Sequence, residues 1–474
     1  MDQAVAPPDS EAPGSDAGGS EAGGGGCHGG RERMQAAARE AGGGALMAQL
    51  MRDYPRGPHE QPQSMCPAFG SLRIGLRMRR VATVLCGSAC CVYGLSFTAR
   101  FYGARRTVGY VPFNSETLVR GTLFEDIRDA VVGLADKALH DAVVVINLCV
   151  PTASGVPLDR LPREIDGVRV IGIDVPGFGV PTHAEAKDVL TGAMLARARS
   201  EIEQGPVQRP REAGDGRAAV ALVGEMFPAD SAGLGAMLEP MGLGVAPPLP
   251  AREWRDLYGA LDACVVAAVH PFYTASLREF DRAGRPVVGS APVGLSGTEH
   301  WLEAVGRAAG AGAAQIGAAR DRALPAIRAA LEGARLSARI SLSGYEGSEL
   351  LVARLLCEAG ATIPYVGTAC PRTPWSEEDR DWLERHGTHV QFRAALEQDL
   401  AAMREIRPDF VIGTTPVVQK AKEGGTPGIY FTNMVSSRPL LGAAGAAALP
   451  AIVAAQTRGA ERYGRMVSFF GSAG

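Results

Sequence analysis

Nine cysteines are spread over 474 residues, and five of them stand where chemistry is feasible. Cys66 lies in SMCPAFG, Cys86, Cys90 and Cys91 in VLCGSACCVYG, and Cys149 in INLCVP. Thiolates ligate soft metals and carry redox chemistry. A Cys-x-x-Cys redox pair is excluded, because three residues separate Cys86 from Cys90 and none separates Cys90 from Cys91. Zinc asks for two close pairs, or histidine partners at short spacing. The natural count is three protein ligands, one from each segment. Three thiolates suit an iron–sulfur cluster completed from elsewhere, for example by another subunit. Cys66 precedes a proline, which removes a backbone donor and stiffens such a loop. Buried structural thiols are the competing reading, and spacing alone leaves the two open.

The other candidates have plainer readings. Cys27 and His28 sit in EAGGGGCHGG, too few ligands on too floppy a segment for a metal site. Cys264 lies inside an apolar strand and Cys357 on an apolar helix face, so both read as core. Cys370, in a Cys-Pro loop after a strand, reads as structure or pocket lining. His183, His270 and His300 are candidates to line a pocket or donate protons, although each also fits a simple loop histidine. His386 and His389 flank a glycine turn without further ligands.

The elements that must position these residues are legible from residue 79 onward. RRVATVLCGS, RAAVALVGEMF and SARISLSG each read as a buried parallel strand ending in glycine. A second glycine, fitting a helix stop, follows 16, 18 and 16 residues later, at Gly103, Gly242 and Gly360, and each precedes another strand. Further strands are predicted in DAVVVINLCVP, GVRVIGIDVPGF, LDACVVAAVHPF, RPVVGSAPVG, PDFVIGTTP and PGIYFTN. Three such openings predict an α/β chain of three Rossmann-like parallel-sheet domains. The expected bounds are a disordered Gly/Ala-rich tail with short helices over 1–60, then domains over 61–212, 213–337 and 338–474. Cys91 and Cys149 then follow two strands of one sheet and share its ligand-binding edge. A cysteine at a strand-to-helix turn also faces a helix N-terminus, which favours the thiolate.

Composition narrows the function classes. A net charge of −3 gives no attraction to nucleic acid or membrane surfaces. The N-terminus is acidic and polar, unlike an export signal, and nine cysteines are too sparse for a disulfide scaffold, so a cytoplasmic location is expected. Leu440 to Gln456, rich in Ala and Gly and interrupted by Pro450, reads as a buried helix rather than a membrane span. There is no Gly-x-x-x-x-Gly-Lys-Ser/Thr loop, and GLGAML at Gly233 breaks the Gly-x-Gly-x-x-Gly pattern. ATP hydrolysis and a bound nicotinamide are therefore not expected of this chain, and its electrons must come from outside.

SMCPAFG, CGSACCVYG, INLCVP and the later VIGIDVPGFGVPTHAEA together resemble the cysteine segments of the nitrogenase-like, dark-operative tetrapyrrole reductases. The separations, 25 residues from Cys66 to Cys91 and 58 from Cys91 to Cys149, are similar to that family's. The resemblance covers about residues 60 to 470, and RFYGARRTVGYVPFNSETLVRGTLFEDIRDAV resembles its chlorophyllide a branch in particular. It implies a nitrogenase component 1-like fold. It implies that Cys66, Cys91 and Cys149 ligate a [4Fe–4S] cluster whose fourth ligand comes from a homologous subunit Z, in a heterotetramer. It implies that a separate ATP-dependent iron–sulfur protein, subunit X, supplies electrons. The reaction implied is reduction of the C7=C8 bond in ring B of chlorophyllide a, in bacteriochlorophyll biosynthesis. Cys86 and Cys90 are then strand-end packing, although neighbouring thiols permit a shifted choice. HPFYTASLREF, VGTACPRTPW and FTNMVSSRP follow strands and are candidates to line the tetrapyrrole pocket. Three alternatives stand beside this reading: the N-type subunit of protochlorophyllide reductase acting on ring D, a non-catalytic scaffold for assembling nitrogenase cofactor, and a plain sugar- or nucleotide-binding protein.

Overall fold

The computed structural model describes residues 66–101, 108–207, 217–224, 231–436, 438–459 and 463–465. The expected tail and short helices over 1–60, Cys27, His28, Gly103 and the boundary at 212–213 lie outside the described residues.

The strands form three sheets. The first holds β1 (Val81–Ser88), β2 (Val108–Phe113), β3 (Ala142–Asn147), β4 (Glu164–Ile165) and β5 (Val168–Asp174) in the order β2-β1-β3-β5-β4. All its pairs are parallel except β4 with β5. The apolar runs are covered on both faces. Val81 and Leu85 of β1 enter one core, whereas Ala82, Val84 and Cys86 enter another. The second sheet holds β6 (Ala218–Val223), β7 (Leu243–Val245), β8 (Val265–Ala268) and β9 (Val287–Val288), in the order β7-β6-β8-β9. The third holds β10 (Arg339–Gly344), β11 (Thr362–Thr368), β12 (His389–Phe392), β13 (Phe410–Gly413) and β14 (Gly428–Tyr430), in the order β12-β11-β10-β13-β14. Gly242 and Gly360 have φ of 74° and 103°, the left-handed conformation their positions before β7 and β11 require.

Each strand order reverses beside its first long strand: between β1 and β3, between β6 and β8, and between β10 and β13. Such reversals open a crevice at the carboxyl ends of the strands, where ligands settle in open α/β sheets.

The helices that matter for the site are α1 (Pro67–Arg77), α2 (Ala89–Phe101), α3 (Cys149–Ala153), α4 (His183–Gln204), α5 (Thr274–Arg282), α6 (Glu349–Glu358), α7 (Phe431–Val435) and α8 (Gly442–Thr457). Helix α4 ties the first sheet to the second. Near its start it meets α1 so closely that a Cβ on Gly70 would lie 1.9 Å from the His183 carbonyl oxygen, and Ser71 Oγ donates to the Ala186 carbonyl at 2.6 Å. One turn on, the Asp188 carboxylate caps α5, accepting from Ala275 N at 2.6 Å and Ser276 N at 2.8 Å. One apolar core also joins the first two sheets (Leu85 and Ile146 with Ala221 and Val266), and another joins the second and third (Val220 and Leu222 with Ile340 and Leu342). Helix α8, with Pro450 inside, buries Ala446, Leu449 and Val453. Among the described residues, no helix is long and apolar enough to cross a membrane.

Candidate metal centre

The first crevice is where the cysteines sit. Register sets β1 and β3 level, with Cys86 opposite Asn147. Beyond it, Leu148 N donates to the Cys86 carbonyl at 2.8 Å. Gly87 permits this approach, since a Cβ there would lie 2.5 Å from Leu148 Cδ1. Cys149 therefore opens α3 beside the turn into α2, whose first residues include Cys90 and Cys91. Cys66 arrives from outside the sheet as the N-cap of α1, with Pro67 at its first helical position.

Cys66, Cys91 and Cys149 are all exposed, and their side chains are electrostatic neighbours. Burial pushes the Cys66 thiol up, and the nearby Cys149 and Cys91 thiolates add to that as like charges, while the Ala68 and Phe69 amides draw it down. Cys149 Sγ accepts a hydrogen bond from Gly177 N at 3.2 Å. The Val175–Asn147 backbone bond, at 3.0 Å, carries the chain after β5 to that position. Amide-to-sulfur bonds stabilise thiolates and tune the potential of iron–sulfur clusters.

This donor set fits an iron–sulfur cluster. Helix amides face the Cys66 sulfur and Gly177 N–H faces that of Cys149, donors that favour sulfur bound to a metal. A single tetrahedral zinc would hold its sulfurs about 3.8 Å apart. Among the described residues, no three His, Cys, Asp or Glu are placed to hold one metal ion.

The neighbouring thiols differ. Cys86 is fully buried against Val84 and Val111 on the opposite side of β1, and burial raises its thiol far above the usual range. Cys90 is exposed, 3.3 Å from Ser88 Oγ. The Ser88 hydroxyl and then Cys91 lower its thiol pKa. Elsewhere, Cys264 Sγ donates to the Ala219 carbonyl at 3.2 Å, burial pushes Cys357 up to about 11, and Cys370 is fully buried in an apolar core. His300 is exposed beside Glu378 at 3.2 Å, and His386 stacks on Trp382. Around the cysteine crevice, Tyr93 and Phe97 of α2 and Phe178 beside Gly177 are 74, 63 and 69 % exposed, an apolar collar unusual for a free surface.

The other two crevices meet each other. His270, just beyond β8, fits between Gly224 and Gly347: a Cβ on either glycine would lie 2.3 Å from a His270 carbon. Its Nε2 lies 3.0 Å from the carbonyl oxygen of Glu346, just beyond β10. The Glu346 carboxylate takes His183 Nε2 of α4 at 2.9 Å and Thr432 Oγ1 of α7 at 2.9 Å. The three pocket-lining candidates converge here, because Thr373 Oγ1 also donates to the Pro271 carbonyl at 2.7 Å. Beside this cluster, Arg393 grips Glu185 of α4 through two bonds of 2.7 Å. Glu346, Glu185 and Arg393 went unread in the sequence. The available signal was GYEGSE, acidic residues in a glycine-bracketed turn at a strand end.

Comparison with known proteins adds to this geometry. Residues 66–456 match the model of the family described as Nitrogenase component 1 type Oxidoreductase. The chain is 63% identical, over 448 residues, to the chlorophyllide reductase 52.5 kDa chain of Rhodobacter capsulatus, covering 94% of this chain and 90% of that one. It is 26% identical, over 260 residues, to the light-independent protochlorophyllide reductase subunit N of Prochlorococcus marinus, covering 54% and 58%. A solved structure of nitrogenase Cp1 at pH 6.5 shares the fold with a TM-score of 0.66 at 17% identity, covering 85% of this chain and 94% of that one.

Proposed function

The chain belongs to the nitrogenase component 1 type oxidoreductases, and from that premise we propose that it is the Y subunit of a chlorophyllide a reductase. Members of this family hold iron–sulfur clusters and work in multi-subunit complexes with homologous partners. The reaction class is oxidoreduction at a CH–CH bond: two electrons and two protons convert C7=C8 of ring B to a single bond, giving a bacteriochlorin. The relation to protochlorophyllide reductase subunit N is distant by comparison.

In this reading Cys66, Cys91 and Cys149 hold a [4Fe–4S] cluster, with the fourth ligand from subunit Z. The observation that supports it most is the register that sets the ends of β1 and β3 side by side, so that the turns carrying Cys91 and Cys149 open at one crevice. When bound, such a cluster stores and passes single electrons at low potential. This chain's residues supply the rest: Gly177 N–H bonds the Cys149 sulfur, and the first amides of α1 face Cys66. The exposed Tyr93, Phe97 and Phe178 supply a surface for subunit Z to cover. Subunit X, an ATP-dependent iron–sulfur protein of the cytoplasm, supplies the electrons.

The test is pigment turnover. The chain is co-purified anaerobically with its partner catalytic subunit, then given the ATP-dependent donor and either chlorophyllide a or protochlorophyllide. The expected result is a far-red product band with chlorophyllide a alone. Turnover of protochlorophyllide alone, or of neither pigment, contradicts the assignment.

A further inference from the structure

Reducing a carbon–carbon double bond takes protons as well as electrons, and the crevices of the second and third sheets hold a buried proton-bearing pair that metal ligation does not use. We propose that Glu346, backed by His183, is a proton relay for the reduction. This rests on the functional reading above.

Three observations carry it. The first is place. Glu346 stands at the carboxyl end of β10, at the reversal of its sheet, with His270 arriving from the reversal of the neighbouring sheet. The three pocket-lining candidates reach the same point.

The second is asymmetry. The His183 side chain is 1 % exposed and that of Glu346 13 %. The imidazole is sealed behind the carboxylate, and only the carboxylate opens outward. Thr432 fixes its other oxygen, so the group is aimed rather than merely neutralised. Domain cement is the plain alternative. A buried ion pair is a poor cement, because its desolvation offsets its attraction. The bidentate Arg393–Glu185 bridge and the Asp188 cap on α5 already tie α4 to the third sheet's domain and to the second's.

The third is position relative to the cysteines. His183 touches α1 at Gly70, one helical turn, about 6 Å along the axis, from Cys66.

The charged and titratable groups facing the pair are Lys187 from α4, His270 after β8, Tyr345, whose ring stands edge-on to the His183 ring at 5.5 Å, and Glu349 at the start of α6. Burial favours the neutral Glu346 carboxyl, but His183, Lys187 and Thr432 together hold it well below the usual carboxylate range. In the step itself, two electrons from the external iron–sulfur donor enter the C7=C8 π bond. One proton leaves the His183–Glu346 pair to form a new C–H bond, the second carbon takes a proton from elsewhere, and solvent reloads the pair.

The experiment uses the full complex with chlorophyllide a and compares wild type with Glu346→Gln and His183→Gln. Expected are unchanged iron content, pigment binding within twofold, and kcat lower by about 10²-fold, with the pH profile of kcat changed from that of the wild type. Rates within threefold of wild type and an unchanged pH profile overturn the relay. So does loss of iron in step with loss of rate in variants that still assemble, which marks the pair as structural. Where Glu346→Gln does not assemble, Thr432→Val serves: kcat about tenfold lower at unchanged KM supports the relay, and unchanged kcat overturns it. A wild-type complex inert towards chlorophyllide a refutes the functional reading instead, whatever the variants do.

Discussion

At the scale of single residues, thiols a few positions apart have opposite environments. Cys86 is buried in a core and Cys91 is exposed, although both belong to CGSACC. Cys86→Ser is expected to leave most of the iron in place, whereas Cys91→Ser removes it, as read by anaerobic iron analysis of the complex. Wholesale iron loss from Cys86→Ser would mean the wrong thiol has been assigned. Buried carboxyls offer a second prediction. Asp399 is fully buried and accepts from Tyr365 Oη at 2.8 Å, and burial pushes its pKa up to about 7 against an ordinary 3.8. The folded chain thus keeps a proton that the unfolded chain releases near pH 4. The associated stability is present below that pH and is lost as pH rises towards 7. Asp399→Asn should therefore flatten the pH dependence of unfolding between pH 5 and 8, with the variant gaining on wild type at pH 8. Parallel curves would contradict the shift. The cysteines were legible because their spacing is local, whereas the His183–Glu346 pair was not, because its members lie 163 positions apart.

At the scale of elements, the long apolar strands were readable. β1, β3, β6 and β10 announce themselves as buried runs that end in or near glycine or asparagine. Two strands were not foreseen. β4 has two residues and pairs antiparallel at an edge, too short for any period to show. β12 has four, and its alternation of exposed His389 with buried Val390 hides beside a glycine turn. The contact of α1 with α4 was invisible too, since Gly70 and Ser71 look like any small helix residues. Gly70→Ala is expected to destabilise this contact by about 1–3 kcal/mol through overpacking. Because α1 carries Cys66, it should also speed iron loss on mild heating. A variant with wild-type thermal stability and iron retention would show that α1 and α4 adjust freely.

At the scale of the molecule, three sheets give three crevices: cysteines stand at the first, and a histidine–carboxylate junction where the second and third meet. The exposed Tyr93, Phe97 and Phe178 near the first crevice are the surface proposed above for the partner subunit. Phe178→Asp should weaken assembly with the partner catalytic subunit at least tenfold by analytical ultracentrifugation, while leaving the chain folded by circular dichroism. Undiminished association would remove the collar from the interface. Three domains were readable from the repeated strand–turn–helix–glycine blocks, whereas their mutual docking depends on contacts such as Arg393–Glu185, 208 positions apart. The central claim is that Cys66, Cys91 and Cys149 converge on one cluster, and its most direct test is anaerobic iron analysis with electron paramagnetic resonance of the dithionite-reduced complex. The account predicts about four irons per pair of catalytic subunits and a reduced-cluster signal, both lost when any one of the three cysteines becomes serine. A wild-type complex without iron, or serine variants that keep the full signal, would contradict it.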